Sequence, residues 1–424
     1  MTKRETSRWL IGLPPPVLDR HSRTTHGIAA SYVRAYILTL MAPVRIPRLQ
    51  LTLVDGCCGG GAYLADDGSG EIDGSPLLMM RAVREARLRL NQGRQVPREV
   101  AVDYHFVAAE RETAAYLGQR LDARAAEAAI DPRDVARAQV SSGRFQRALP
   151  RIIRSVAQRR SGERAIFLLD QSSCSLAMRD VATILGSLAG AEVLLTFDVG
   201  ALVTFIAEHA SDRAALEKLG LAGHIPWHDL HALKTARHWR RTLQRHLAHG
   251  IRQESGARFA TLFFVRPDRH ADWGDWLIHL SNHYKSHEVM KDLHWANTGL
   301  FGHELEPGVF VQGYDPKDDD EETGQEPFDF GEAAREACVT GIHDYLGQRI
   351  FALEQPVRLR DLIASCATRS PGSTEHFLAA LNHLHQSKDV IISGQDGRVR
   401  DPLRSKRYHL DSVVERGAII RLIP

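Results

Sequence analysis

Residues Leu51–Tyr63, LTLVDGCCGGGAY, decide how this chain reads. Leu51 to Val54 is an apolar run that predicts a buried β-strand. It ends at Asp55 and breaks at once into Gly56-Cys57-Cys58-Gly59-Gly60-Gly61. A carboxylate closing a strand before a glycine-rich turn is how a parallel sheet receives a nucleotide-type cofactor at its carboxyl edge. Glycine serves there because the chain turns sharply and the ligand comes too near the backbone for a Cβ. A glycine-rich turn after a core strand, with no ligand, has the same composition, so both readings stay open here. The spacing completes neither the dinucleotide fingerprint G-x-G-x-x-G nor the P-loop G-x-x-x-x-G-K-[ST].

The flanking sequence extends the cofactor reading. Gly74-Ser75-Pro76 opens an apolar-periodic stretch through Leu77, Leu78, Ala82, Val83 and Ala86. It predicts a helix with Ser75 as N-cap and Pro76 at the first helical position. The next strand, Val102–Ala109, ends at Glu110, where an acidic residue binds ribose hydroxyls in such folds. Thr113–Leu121 continues as a helix, so Glu110 also reads as a carboxylate at a solvated helix N-terminus.

Working outward, strands are expected at 51–55, 102–109, 164–170 and 192–198, with helices such as Thr24–Met41, Phe145–Gln158 and Leu176–Leu188 around and between them. This alternation predicts an α/β fold: a doubly wound, mostly parallel sheet with helices on both faces. Arg258–Val265 and Trp276–Ser281, joined across Pro267–Gly274, read as an antiparallel hairpin closing the sheet. Asp315–Glu326 is acidic and apolar-free, the composition of a linker or exposed loop. After it come helices at Gly331–Phe351, from Leu359, and at Ser373–His385, then a hairpin about Asp396-Gly397. Three helices followed by a hairpin is a winged-helix plan. The expected organisation is an arm at 1–23, a Rossmann-type domain at 24–314, an acidic linker at 315–330 and a winged-helix-like domain at 331–424.

Composition sets outer limits. The 424 residues exceed one typical domain. A net charge of +2 demands no nucleic-acid partner. No apolar run approaches the ~20 residues of a membrane helix, and the N-terminus lacks a signal-peptide pattern. Five cysteines, an odd number without C-x-x-C, speak against a disulfide framework or a Cys-rich zinc site. The expectation is a reduced, cytoplasmic protein without a metal.

Asp55-x-x-x-Gly59-x-Gly61 fits the D-x-F-A-G-x-G loop of class I methyltransferase-like folds, which hold S-adenosylmethionine (SAM). Cys57 and Cys58 replace the usual Phe and Ala. The ordered set of glycine loop, Gly74-Ser75-Pro76, Glu110, Asp170, Ser281-Asn282-His283 and the C-terminal unit resembles the three-Cys-motif partner family. That bacterial and phage family has a methyltransferase-like fold with a winged-helix-like end. The resemblance implies SAM as cofactor, held by Asp55, Gly59, Gly61 and Glu110, with Asp170 on the substrate side. It also implies a protein partner with a radical-SAM-like three-cysteine motif. It supplies no reaction. Where the family has D-P-[FY]-G, this chain has Asp170-Gln171-Ser172-Ser173. Those residues hydrogen-bond but cannot stack on a base, which speaks against N6-adenine methylation. No Pro-Cys offers the thiolate of a C5-cytosine enzyme.

Two functional expectations follow. One is a SAM-binding, methyltransferase-like protein acting on or with DNA or RNA. The other is a catalytically inert methyltransferase fold serving as a nucleic-acid-binding or scaffolding subunit. Arg398, Arg400, Arg404 and Arg407, with Lys406, cluster on and after the expected wing and are the candidate nucleic-acid contacts. Lys234, Arg237, Arg240, Arg241, Arg245, His246 and Arg252 load one helix with charge, while Trp239, Leu243 and Leu247 share it at core spacing. That segment reads either as a solvated face or as a phosphate-contacting one. His279, His283 and His287 have the i, i+4 spacing that holds a metal on a helix. A strand at 276–281 would scatter them.

Overall fold

The computed structural model describes residues 9–159, 163–208, 213–235, 239–265, 276–296, 301–302, 304–306, 309–311, 332–368, 370–403 and 408–417. The chain divides into two compact units, Met1–Leu293 and His294–Pro424. The expected linker at 315–330 and the loop at Pro267–Gly274 lie outside the described residues.

In the first unit the central sheet comprises β1 (Arg48–Cys58), β2 (Glu99–Ala108), β3 (Ala138–Ser142), β4 (Ala165–Asp170), β5 (Ala191–Phe197), β6 (Phe259–Val265) and β7 (Trp276–Ser281). Their order across the sheet is β3-β2-β1-β4-β5-β7-β6. Strands β1 to β5 pair in parallel, while β7 runs antiparallel to both β5 and β6. Outward order from β1 reverses between β1 and β4, the switch point at which doubly wound sheets bind ligands. An antiparallel strand inserted beside β5 departs from the dinucleotide-binding order. It gives this unit the methyltransferase-like arrangement.

Both faces of the sheet are covered. Val54, Phe167, Leu169, Val193 and Leu195 point into one core with Phe145, Leu149 and Ile152 of α4 (Phe145–Ala157) and Ile184 of α5 (Met178–Ser187). Alternate residues such as Leu53, Ile166 and Leu194 are buried on the other side. There α1 (Arg20–Leu40) packs on α2 (Ser75–Asn91). Helix α1 begins four residues before the expected start, because Asp19 accepts from the Ser22 N–H as its N-cap.

Among the described elements that the sequence reading did not name, two frame the sheet edge and the glycine loop. Strand β3 is short, polar (AQVSS) and half exposed at the sheet edge. Between the glycine loop and α2 lies a small antiparallel pair, Ala62–Ala65 with Glu71–Asp73, to which Val17–Leu18 adds in parallel.

The second unit holds α6 (Glu332–Phe351), β8 (Val357–Arg358), α7 (Leu359–Ala367), α8 (Thr374–Gln386), β9 (Val390–Ser393) and β10 (Val413–Arg416). Its sheet order is β8-β10-β9, antiparallel throughout. Cys338, Ile342, Leu346, Leu362, Phe377, Leu381 and Ile392 are buried in this unit.

Candidate functional site

The sequence placed the end of β1 at Asp55. The strand instead continues to Cys58, with a register break against β2 between Asp55 and Cys58. The four glycines there have different reasons. A Cβ on Gly56 would meet the Leu169 and Phe145 side chains, so this glycine serves core packing. Gly61 has φ +81°, the left-handed region that glycine favours. Gly59 and Gly60 lie outside that region, so they answer to what sits on them.

What sits on them is the protein itself. A Cβ on Gly59 would come within 2.6 Å of Trp9 Cζ2 and inside contact with the Tyr63 hydroxyl. One on Gly60 would run into Cδ1 and Cγ of the same indole. Trp9 Nε1 donates to the Ala62 carbonyl at 2.8 Å, and its ring meets Tyr63 edge-on at 5.3 Å. Leu18, Ala62 and Tyr116 complete this apolar cluster. A cofactor's adenosyl and methionine groups do not fit over Gly59 and Gly60 while Trp9 and Tyr63 are seated. No methyl-transfer step is therefore derived from this arrangement.

Beside the glycine loop is a polar cleft at the carboxyl ends of β1, β4 and β5. Asp55 and Cys57 line it from β1, Asp170 from β4, and Thr196 and Asp198 from the end of β5. Helix α1 supplies His21, Thr25 and His26. The cavity is about 60 Å³, far below the ~300–1,000 Å³ of small-molecule sites. Asp55 is buried. It accepts from Ser75 Oγ at 2.6 Å and from the Cys57 N–H at 3.3 Å. Burial raises its pKa to about 6, Asp170 adds to this, and the two hydrogen bonds oppose it. Ser75 is not the expected N-cap: Gly74 takes that position, and the Ser75 hydroxyl is spent on Asp55. Burial lowers His26 to about 4, against the pull of Asp19 and Asp170, so its imidazole is neutral at pH 7. Its Nδ1 is buried without a partner.

Asp170 accepts from the Ser173 N–H at 2.7 Å, closing the turn that becomes the short helix Gln171–Cys174. Cys174 is disulfide-bonded to Cys57. The odd cysteine count pointed away from any bridge. One end lies near the end of β1 and the other in the short helix after the neighbouring β4, with Cα atoms 5.5 Å apart, a proximity set by the fold and invisible in a separation of 117 residues.

Of the expected cofactor residues, Asp55 joins Asp170 in the cleft, and Gly59 and Gly61 lie in the adjoining loop. Glu110 does not join them. It is exposed at the N-cap of α3 (Arg111–Ala126), where its side chain makes no cap hydrogen bond. Tyr63 fills the loop beside Gly59, as an inert fold would have it, while Trp9 and His26 were missed. A tryptophan at the head of the arm's apolar run Trp9-Leu10-Ile11 was the available signal for the first.

The histidine series is scattered. His279 on β7 is buried against Tyr32 and Glu192, His283 is exposed, and His287 bonds Thr261 Oγ1 at 2.7 Å. Among the described residues no His, Cys, Asp or Glu group is arranged to hold a metal ion. In helix Trp239–Ser255, Leu243 and Leu247 are buried and Arg245 is exposed. Arg237, and the side chains of Arg240 and Arg241, lie outside the described residues. In the second unit Arg398 and Arg400 are exposed on the hairpin after β9, and Arg400 pairs with Asp396 at 3.2 Å. Arg404, Lys406 and Arg407 lie outside the described residues.

No family model and no curated protein matches this chain. Solved structures with similarity to it include a Legionella pneumophila protein of the family model DUF519. It shows 8% identity and a TM-score of 0.33, over 63% of this chain and 89% of that one. A putative O-methyltransferase from Klebsiella pneumoniae gives 13% and 0.28, over 64% and 93%. The plantazolicin methyltransferase BamL, in complex with a triazolic desmethyl-plantazolicin analogue and S-adenosylhomocysteine, gives 9% and 0.25, over 62% and 87%. At these scores the likeness carries no argument of its own; the strand order is what establishes a methyltransferase-like fold. Among the described residues no helix is long and apolar enough to cross a membrane.

Proposed function

We propose that the first unit is a receptor for a SAM-type cofactor and works on or with nucleic acid. The observation that supports this is the position of the Asp55–Gly61 loop. It follows the first strand of a 3-2-1-4-5-7-6 sheet, at the switch point, with Asp55 and Asp170 meeting in one cleft. In this reading Gly59 and Gly61 underlie the methionine end of the cofactor, Glu110 takes its ribose after a movement of the arm, and Asp170 faces the substrate. Titration calorimetry with S-adenosylhomocysteine tests it. Heat with one-to-one stoichiometry, weakened by Glu110→Ala, is the expected result. No heat and no thermal shift at millimolar ligand removes the cofactor.

A second reading has its own observation. Trp9 and Tyr63 fill the glycine loop, and Gln171-Ser172-Ser173 replaces a stacking turn. Both favour an inert fold serving as a scaffolding subunit. Mass spectrometry of what co-purifies separates the two: SAM or its product for the first, a protein partner with a three-cysteine motif for the second.

For the second unit we propose a winged-helix role. Its helix–strand–helix–helix–strand–strand order, and a sheet in which the last strand lies between the other two, support that reading. Helix α8, the groove-reading helix in such modules, carries no Arg or Lys in TEHFLAALNHLHQ. Phosphate contact would therefore fall to Arg398 and Arg400 on the hairpin, together with Arg404 and Arg407 further along the sequence.

A further inference from the structure

Gly59 and Gly60 are built for close approach, and their backbone needs no glycine for any other reason. The group they admit is the indole of Trp9. Trp9 is 9% exposed; its indole donates a hydrogen bond to the Ala62 carbonyl, meets Tyr63 edge-on and shares a small apolar cluster with Leu18 and Tyr116. The segment behind it is loosely attached. Leu10, Ile11 and Leu13 are 37%, 57% and 58% exposed. Gly12 has φ +87° and so can pivot where other residues are strained. Pro15 is buried again, the Pro16 carbonyl accepts from the Leu64 N–H, and Val17–Leu18 joins the small sheet. Withdrawing Trp9 therefore breaks no strand and no helix.

We infer that Trp9 is a displaceable plug: an aromatic side chain of the protein's own arm, seated in the glycine cradle and competing there with an adenosyl-type ligand. The inference rests on the cofactor reading above. It reconciles a loop of cofactor type with a cradle that is already full. A site competent only when the plug is out binds its ligand with an affinity reduced by the fraction of molecules that are open. If Trp9 is seated in nine molecules of ten or more, removing it tightens binding about tenfold or more. The aromatic character of the plug suits the exchange, because an indole and a purine present similar flat, apolar faces with polar edges.

The test is calorimetric titration of the full chain with S-adenosylhomocysteine, wild type against Trp9→Ala and Trp9→Phe. Alongside it, hydrogen exchange of the Trp9 indole N–H is followed by NMR as ligand is added to the wild type. Tighter binding by Trp9→Ala, with faster indole exchange in the liganded wild type, is the expected result. Equal affinities and an unmoved indole overturn the plug and leave the cofactor reading standing. A folded Trp9→Ala that binds nothing, beside a wild type that binds nothing, removes the cofactor reading and the plug together. If Trp9→Ala does not fold, the wild-type indole at saturating ligand decides alone: slow exchange there overturns the proposal.

Discussion

The Ser75 hydroxyl donates a 2.6 Å hydrogen bond to Oδ2 of Asp55, twenty residues earlier in the chain. It ties the start of α2 to the end of β1 and holds a carboxyl that burial has made hard to ionise. An acid raised from 3.8 to about 6 stabilises the fold fully below about pH 4 and loses that contribution as pH rises through about 6. A difference of about two pH units is at most about 3 kcal/mol. His26, in the same cleft, has the opposite slope. Lowered from 6.5 to about 4, it favours the fold above 6.5 and loses this as pH falls through about 4. The two oppose each other over one window. Asp55→Asn should therefore gain stability over wild type at pH 7 relative to pH 4, by about 1–3 kcal/mol. Urea melts at pH 4, 5, 6 and 7 measure it, and parallel wild-type and variant curves would refute it.

Gly60→Ala places a methyl group inside the Trp9 indole. Overpacking of this kind destabilises by about 1–3 kcal/mol. Trp9→Ala should relieve most of that penalty, so the double variant should be less destabilised than the two single effects combined. A double-mutant cycle reads this coupling directly. Additive effects would mean that the backbone around Gly60 yields before the indole does.

Much of this fold was legible because burial on both faces writes near-continuous apolar runs. RAIFLLD and EVLLTFD became β4 and β5, and the closing pair β6–β7 was readable from FATLFFV and WLIHLS. β3 was not, because an edge strand half in water has no reason to be apolar. At the site, Asp55 and Asp170 were legible because they end apolar strands. Trp9 was not, because its partner glycines lie some fifty residues away and nothing in the arm's sequence specifies the contact. The Cys57–Cys174 bridge was hidden for the same reason.

That bridge joins residues 117 apart. On the chain-entropy account, closing a loop of this length stabilises by up to about 5 kcal/mol. Dithiothreitol should lower the melting temperature of the wild type and leave that of Cys174→Ser unchanged. Mass spectrometry after alkylation of the unfolded chain counts the free thiols. Two more free thiols after reduction, with no change in melting temperature, would mean that the strands themselves hold these ends together.

Tyr32 donates its hydroxyl to Glu192 and lies 3.0 Å from His279 Nε2, with all three side chains buried. The Tyr32 hydroxyl and His279 Nε2, which lies 3.1 Å from Glu192 Oε2, hold this carboxyl group between α1, β5 and β7. Tyr32→Phe keeps the ring and removes that donor. Leaving a buried carboxylate short of a partner costs about 1–3 kcal/mol. Chemical denaturation should show a lower midpoint with an unchanged slope. An unchanged midpoint would mean that His279 alone satisfies Glu192.

The hairpin of the second unit makes a prediction in which the sign matters. Asp396 binds Arg400 at 3.2 Å and accepts from the Arg398 N–H, so one carboxylate at the tip offsets part of the hairpin's charge. If these arginines touch phosphate, Asp396→Asn frees Arg400 and should tighten binding to duplex DNA. Arg398, Arg400 and Arg404 changed together to Ala should weaken it. The salt dependence tells contact from mere proximity. Each phosphate contact adds about −0.9 to the log–log slope on duplex DNA, so the triple variant should flatten it by up to about three units. Fluorescence anisotropy over a range of about 50 to 300 mM salt supplies the slope. An unaltered slope, or wild type that binds no DNA at the lowest salt, assigns the hairpin to protein contact instead, in keeping with the absence of Arg and Lys from α8.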